Sequence, residues 1–404
     1  MGKQRPLVPA REKPSCYRRA MSDSVNISSS STAEATAPAA TTHEMHGHGS
    51  GGTSDVWLHN LEATASLTIA SGTLIAACGA HGALPSSAVS EWIVDCLVPF
   101  QLPIFYFCLG FLYQRYRTTR TKRTWAANLR RELALMGIPF VAFTILVLLT
   151  NSLTGGAPPF TIGTLVESLF VTPVVPVGYF YTCLIIYAVT PTVKSRRNAR
   201  GLIVAAALAK VTIVVLLSLP ATASFAEHLP YALTSVAENW LWAAGGMAVA
   251  LYRGLPILRG REKVWALGAL WIAASIVTFR AGWIGEASHA VLDGLGVLWC
   301  TSLFATVFRG GRQNRFFGFV TRYTMAIWLF HGMFLALYFH LLAIAGFTAS
   351  ATPGLAGLGA LVVCYGAPVL VMGALSHLGK TGVIVYPARY LPPTPTAIIR
   401  KTPR

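Results

Sequence analysis

Residues 89–131 read VSEWIVDCLVPFQLPIFYFCLGFLYQRYRTTRTKRTWAANLRR, an apolar stretch over 89–113 followed by a segment with seven lysines and arginines. The apolar stretch is long enough to cross a bilayer as a helix, which takes about 20 residues. Lysine and arginine concentrate in the cytoplasmic loops of membrane proteins. The stretch therefore predicts a transmembrane helix that ends in the cytoplasm.

The same alternation of apolar stretches and basic loops continues along the chain. Of the 32 lysines and arginines, 30 fall in the tails and loops that an even number of crossings places on one side, and only Lys210 and Arg280 do not. This distribution predicts an all-α, polytopic membrane protein with about ten transmembrane helices and both termini in the cytoplasm. The predicted spans are 61–84, 89–113, 133–153, 174–193, 201–220, 234–252, 263–280, 288–308, 323–345 and 353–378.

Composition supports the same class. A chain with 54% hydrophobic and 12% charged residues has too much apolar surface for a soluble core. The net charge of +17 is then the charge of cytoplasmic loops, so we expect contacts with membrane lipids and no nucleic-acid binding. We predict a disordered tail over 1–57 without a signal sequence, a transmembrane domain over 58–380 and a cytoplasmic tail over 381–404.

The cysteines and the tail histidines indicate neither a disulfide framework nor a metal site. Six of the seven cysteines lie inside predicted spans, with no paired spacing in an external loop. The histidines of the N-terminal tail lie in a glycine-rich segment, which would lose much conformational entropy on binding a metal ion. These histidines are His43, His46 and His48.

A histidine and two acids meet at the first external hairpin. His81 ends the first span, and Glu91 and Asp95 open the second span one helical turn apart. Either acid could bind one imidazole nitrogen and leave the other nitrogen as a general base. An interfacial histidine beside two solvated acids explains the same spacing, and the sequence leaves both interpretations open.

Further ionisable residues fall inside the predicted spans. Lys210 lies at the midpoint of the fifth span, roughly 15 Å from either end, so it requires an acid, carbonyl groups or water beside it. Asp293 follows His289 by one helical turn, and it either extends the external pocket or pairs with Arg280.

The two histidines of the first and ninth spans are predicted to lie at different depths. His331 follows Tyr323 by eight residues, about 12 Å from the cytoplasmic face, whereas His81 lies about 30 Å from the start of its span. We therefore expect one of them to act as a base and the other to bind substrate or to pack.

The run PFQLPIFYFCLGFL at 99–112 resembles the FHMPLFFFLSGYL pattern of the integral-membrane acyltransferase 3 family, which includes fucose 4-O-acetylase-like proteins. In that family the pattern follows a histidine that ends the first span, as His81 does here. Three further segments are similar and occur in the same order, and the resemblance covers about residues 60–378. These segments are GIPF at 137–140, GYFY at 178–181 and TMAIWLFH at 324–331.

The resemblance implies transfer of an acyl group, usually acetyl from acetyl-CoA, to a hydroxyl of a carbohydrate. The acceptor is often a cell-envelope polysaccharide or its lipid-linked precursor, which implies a multi-pass protein of the inner (plasma) membrane. The resemblance implies no bound cofactor, because acyl-CoA is a donor substrate. His81 would be the catalytic base, with Asp95 or Glu91 to orient it.

Substrate contacts follow from the same hypothesis. An acyl transfer needs hydrogen-bond donors for the oxyanion, and Tyr106, Tyr181 and His331 are the candidates for oxyanion or substrate contacts. Arg130 and Arg131, with the other basic residues after the second span, are candidates for binding the phosphates of coenzyme A. Topogenic charge and anionic lipid headgroups explain the same basic loop without a ligand.

The chain departs from the family pattern at several positions, and two other functions stay open. Ala70 stands eleven positions before His81, where the family has a basic residue. Leu109, Gln101 and Tyr179 replace a serine, a histidine and a tryptophan of the pattern. A catalytically silent family member is one alternative. The other is a transporter or flippase-like carrier of a lipid-linked sugar, with Lys210, Asp293 and His331 along its path.

Overall fold

The computed structural model describes residues 55–118, 125–190, 193–219, 221, 222, 225, 228–252, 255–377, 383–385 and 387. Within these residues the regular structure is helical and contains no strand. The predicted tails lie almost entirely outside the described residues, as do the tail histidines. The helices are α1 Val56–Ala80, α2 Ala88–Trp92, α3 Gln101–Leu112, α4 Trp125–Thr154, α5 Ile162–Phe170, α6 Gly178–Val189, α7 Arg196–Ser218, α8 Tyr231–Tyr252, α9 Leu255–Leu258, α10 Arg261–Arg280, α11 Glu286–Val307, α12 Arg315–Ile344 and α13 Pro353–His377.

The described helices confirm an all-α, polytopic membrane protein. Eight of them are long and apolar enough to cross a bilayer, with α2 and α3 counted as one continuous span over Ala88–Arg115. The two other predicted spans correspond to α6 and α8. Helix α6 is apolar but has only 12 residues, so it measures about 18 Å. Helix α8 has 22 residues, enough to cross, but Glu238 and Asn239 lower its hydropathy.

Helix α3 lies at the centre of the bundle. In the most apolar part of its span 83% of the residues are buried by protein, against 17% for α7. It contributes to both larger apolar clusters, with Phe105 in one and Tyr106 in the other. Short π-helical segments over Ile93–Leu97 and Tyr113–Thr118 flank it. Helix α7, by contrast, presents Leu208 and Val211 to the lipid.

Helices α1 and α12 pack in parallel with a constant register. Ser66 Oγ donates to the Thr324 carbonyl at 2.9 Å, and Thr73 Oγ1 lies 3.1 Å from a ring nitrogen of His331. Each pair is separated by 258 residues in sequence. The two contacts follow each other at seven-residue spacing, about two helical turns. The two helices therefore cross in the same direction, as the first and ninth spans of the predicted layout require.

Helices α3 and α8 cross at two glycines. A Cβ atom at Gly110 would overlap the carbonyl oxygen of Ala243, and one at Gly246 would overlap that of Phe107. Small residues let backbones approach closely in membranes, where packing and hydrogen bonds hold helices together. This crossing fixes α8 against the central helix.

We expect Gly110→Ala and Gly246→Ala each to destabilise the protein by about 1–3 kcal/mol, because the added methyl group must push the two backbones apart. The unfolding temperature of the purified protein in detergent measures the effect. Gly332→Ala in α12 is the matched control, since a Cβ there meets no atom within 4 Å. Equal unfolding temperatures for all three variants would show that the crossing is not close in solution.

Candidate functional site

His81 lies where α1 ends, at the face of the membrane predicted to be external. Its amide donates to the Ala77 carbonyl at 3.1 Å, which closes the last turn of the helix. The chain then turns away at Gly82, whose φ of +72° is a left-handed conformation that favours glycine. A Cβ at Gly82 would lie 3.1 Å from the Ser350 Cβ, so the turn also packs against the α12–α13 loop.

A cavity of about 410 Å³ opens beside His81. It lies between the end of α1, the last turns of α12 and the loop over 346–350. Its volume is within the range of small-molecule sites, about 300–1,000 Å³. Among the described residues that line the cavity, His81 is the only ionisable one. The loop contributes hydroxyl groups. The lining includes His81, Phe339, Thr348 and Ser350.

The His81 ring is held by stacking. It lies face to face with Phe339, with ring centroids 4.1 Å apart and planes 9° apart. Within the described part of the chain, its ring nitrogens make neither a hydrogen bond nor an ion pair. Partial burial lowers the pKa of the His81 imidazole below its ordinary value. The ring is therefore neutral at physiological pH, and its nitrogens remain available to a ligand.

The two acids of the hairpin are occupied elsewhere. Glu91 is exposed and accepts a hydrogen bond from Ser86 Oγ at 2.9 Å. Asp95, in the π-helical segment, lies beside His289, which hydrogen-bonds to its backbone. The structure thus joins neither carboxylate to His81, and Phe339 orients the ring instead.

Tyr106 and Tyr181 are not among the described residues that line the cavity. Tyr106 is 1% exposed and packs against Tyr179, with ring centroids 5.0 Å apart. Tyr181 donates its hydroxyl hydrogen to the Phe170 carbonyl at 3.1 Å. Both side chains belong to the packing around α3 and α6.

His331 is a buried histidine that joins α12 to α1. Its Nδ1 lies 3.0 Å from the Ile327 carbonyl oxygen and its Nε2 lies 3.1 Å from Thr73 Oγ1. A neutral imidazole carries one N–H, and a carbonyl only accepts. Nδ1 is therefore the donor to Ile327, and Nε2 accepts from the Thr73 hydroxyl. Protein groups thus occupy both nitrogens.

The structure places His81 and His331 at different depths. Phe339, the residue stacked on His81, follows His331 by eight residues, about 12 Å along α12. Ala70, where the family pattern has a basic residue, is fully buried, and Cys364 Sγ donates to its carbonyl at 3.6 Å. A basic side chain at that position would enter the packed contact between α1 and α13.

The basic segment after the second span is described only in part. Arg115 forms an ion pair with Asp55 at 3.1 Å, which ties this end of the span to the start of α1. Near the start of α4, Arg130 is exposed and Arg131 is partly buried. The remaining basic residues, or their side chains, lie outside the described residues. These are Arg117, Arg120, Lys122 and Arg123.

The other residues of the cavity were not predicted from the sequence. Phe339, Thr348 and Ser350 belong to no motif and lie more than 250 positions from His81. The parallel register of α1 and α12 is what brings Phe339 to His81. The sequence itself contains no signal for this contact, because it does not show that α1 and α12 pack together. Within the described residues, no group of three His, Cys, Asp or Glu side chains could hold a metal ion.

Comparison with known proteins identifies the family. The acyltransferase domain family matches residues 55–373, which is most of the chain and includes α1 to α12 and nearly all of α13. No curated protein and no solved structure matches. The family match confirms the resemblance inferred from the motifs of the second, third, fourth and ninth spans. This protein is thus a polytopic membrane protein that belongs to the acyltransferase 3 family.

Proposed function

We propose that the protein is an O-acyltransferase of the inner (plasma) membrane that moves an acyl group, in the first place acetyl, from acyl-CoA to a hydroxyl of a cell-envelope carbohydrate. Membership of the family supports acyl transfer in general. The observation that carries the site assignment is His81, a half-buried imidazole with free ring nitrogens in a cavity of about 410 Å³. A cavity of this size accommodates a small hydroxyl-bearing group.

In the proposed reaction His81 is the general base. One of its nitrogens takes the proton of the acceptor hydroxyl while that oxygen forms a bond to the acyl carbon. The bond between the acyl carbon and sulfur breaks, and the imidazolium returns the proton to the departing thiolate. The hydroxyl groups of Thr348 and Ser350 line the same cavity and are candidates to hydrogen-bond the acceptor or the oxyanion.

The donor reaches this centre from the opposite face. Coenzyme A is a polyanion, and the exposed Arg130 at the cytoplasmic end of α4 is a candidate contact for its phosphates. His81 lies at the other end of its helix, about 38 Å from the start of α1 along the 25-residue helix. The acyl group must therefore pass between the helices before transfer.

A carrier of lipid-linked sugar is the second candidate function. It is favoured by Lys210 and Asp293, because the Trp242 ring lies between Lys210 and the helix that carries Asp293. His331, the third residue of the predicted path, lies on α12 and bonds to Thr73 instead. Movement of a lipid-linked sugar into vesicles without any acylated product would support the carrier.

We expect His81→Ala to reduce acyl transfer by about 10²–10⁴-fold, the usual contribution of a general base. The measurement is transfer of labelled acetyl from acetyl-CoA to isolated cell-envelope glycans by the purified protein. His377→Ala is the matched control, because His377 is exposed at the end of α13 opposite the cavity loop. Its removal should leave the rate of acyl transfer unchanged. Undiminished transfer by His81→Ala removes the catalytic assignment. If the wild-type protein transfers no label either, the protein is a catalytically silent member of the family.

The pH profile provides a separate check on His81. Because burial lowers its pKa, the basic form persists at lower pH, and kcat/KM should rise to half of its plateau below about pH 6.5. Phe339→Ala exposes the His81 ring to water, so the pH at which kcat/KM is half of its plateau should move upward, toward about 6.5. A midpoint that does not respond to Phe339→Ala would mean that another group titrates.

A further inference from the structure

The external loop between α4 and α6 contains an amphipathic helix, α5. This loop, residues 155–177, has a single charged residue, Glu167, although loops outside the hydrocarbon core are usually polar. Several of its large apolar side chains are exposed in the folded protein. An exposed apolar surface of this kind usually marks a contact with a membrane or with another protein. The loop thus presents a surface that a group outside the fold covers.

One side of α5 is a continuous exposed apolar stripe. Its members recur every four residues, so each is turned about 40° from the previous one at 100° per residue. Even the least exposed of these side chains is 51% exposed, which shows that the bundle itself does not cover the stripe. The members of the stripe are Ile162, Val166 and Phe170.

The stripe lies between a packed face and a charged edge. Leu165 and Leu169, about 100° and 60° to one side of Val166, pack against the apolar core of the bundle. Glu167, about 100° to the other side, is exposed. The order around the helix axis is therefore core, exposed apolar stripe and charged edge. A helix that lies in the membrane surface beside a bundle meets protein, lipid and water in this order.

Hydrogen bonds tie both ends of α5 to the external ends of neighbouring helices. The amide of Phe160 donates to Ser152 Oγ at 2.6 Å, and Ser152 lies in the last turn of α4. At the other end of α5, the hydroxyl of Tyr181, in the first turn of α6, donates to the Phe170 carbonyl at 3.1 Å. Helix α5 therefore lies along the face predicted to be external and does not extend away from it.

The short length of α6 places the chain before it at membrane depth. Helix α6 measures about 18 Å, against about 30 Å for the hydrocarbon core of a bilayer. Residues 171–177, which precede α6, are not helical, and Val174 and Val177 are buried in protein. Irregular backbone is tolerated at membrane depth where protein surrounds it. Helix α5 ends directly before this segment, so its stripe lies at the boundary between lipid and water.

We propose that α5 is an interfacial helix that inserts its apolar stripe among the lipids of the external leaflet. The stripe has neither a charge nor a hydrogen-bonding side chain, so acyl chains cover it without leaving a polar side chain unpaired. Leu153, in the last turn of α4, and Val175, just before α6, are each 61% exposed. A lipid leaflet is continuous and covers these segments together with the stripe. The proposal does not depend on acyl transfer, and its test needs no substrate.

Spin labelling of the full chain in lipid nanodiscs tests the orientation of α5. The background variant is Cys16→Ser, because the six other cysteines are buried and unreactive. Val166→Cys and Glu167→Cys each receive a nitroxide, and its collisions with oxygen, which is enriched in lipid, are compared with those with a water-soluble nickel complex. We expect the ratio of oxygen to nickel collisions to be several-fold higher for Val166→Cys than for Glu167→Cys, because only the first position faces lipid.

Further variants calibrate the measurement. Leu208→Cys, on the lipid-facing side of α7, should give a high ratio, and Ser86→Cys, in the exposed external hairpin, should give a low one. Ile162→Cys and Phe170→Cys should agree with Val166→Cys, and they replace it if that variant fails to fold. Equal ratios on the stripe and at Glu167→Cys would overturn the proposal. Rare collisions of the stripe with both reagents would also overturn it, because a protein surface such as a second copy of the chain would then cover α5.

Discussion

The parallel contact between α1 and α12 is the constraint on which the rest of the site depends. Lipid chains are as apolar as the helices, so burial of apolar surface does not drive helix association, and packing and hydrogen bonds must do so. The Ser66 hydroxyl and the Thr73–His331 pair supply those bonds at seven-residue spacing. The same register, continued eight residues further, places Phe339 against the ring of His81. A slip by one residue would rotate α12 by about 100° and remove the stacking contact.

The central helix α3 gives this pair a rigid support. It contacts α1 on one side and crosses α8 at two glycines on the other, so it links the half of the bundle that contains His81 to the half that contains Lys210. Its burial also explains why the apolar motif at 99–112 contributes no side chain to the cavity. The motif supplies packing surface, as Tyr106 illustrates, and the histidine of the cavity comes from the end of the neighbouring helix.

Polar groups at different depths differ in how the protein satisfies them. His81 keeps its nitrogens free at the end of α1, where the cavity opens beside them. Asp293 lies about 10 Å and Trp242 about 16 Å below the external ends of their helices, where an unmet hydrogen bond costs more because less water is available. His331 shows the third possibility, a buried imidazole with a protein partner on each nitrogen. The same residue type thus takes opposite roles according to its neighbours and depth.

The sequence was sufficient to determine the membrane class, eight of the ten predicted spans, the family and the position of His81 at a helix end. Apolar length and the positions of lysine and arginine act on each segment separately, so they can be read along the chain. The sequence did not predict Phe339 as the partner of His81, or that Glu91 and Asp95 turn to Ser86 and His289. It also did not show that Trp242 lies between Lys210 and the helix that carries Asp293. Only the tertiary structure decided these neighbours. Helices that are apolar on all sides do not show in their sequence which face packs against another helix. That face is decided by glycine contacts and by a few polar side chains far apart in sequence.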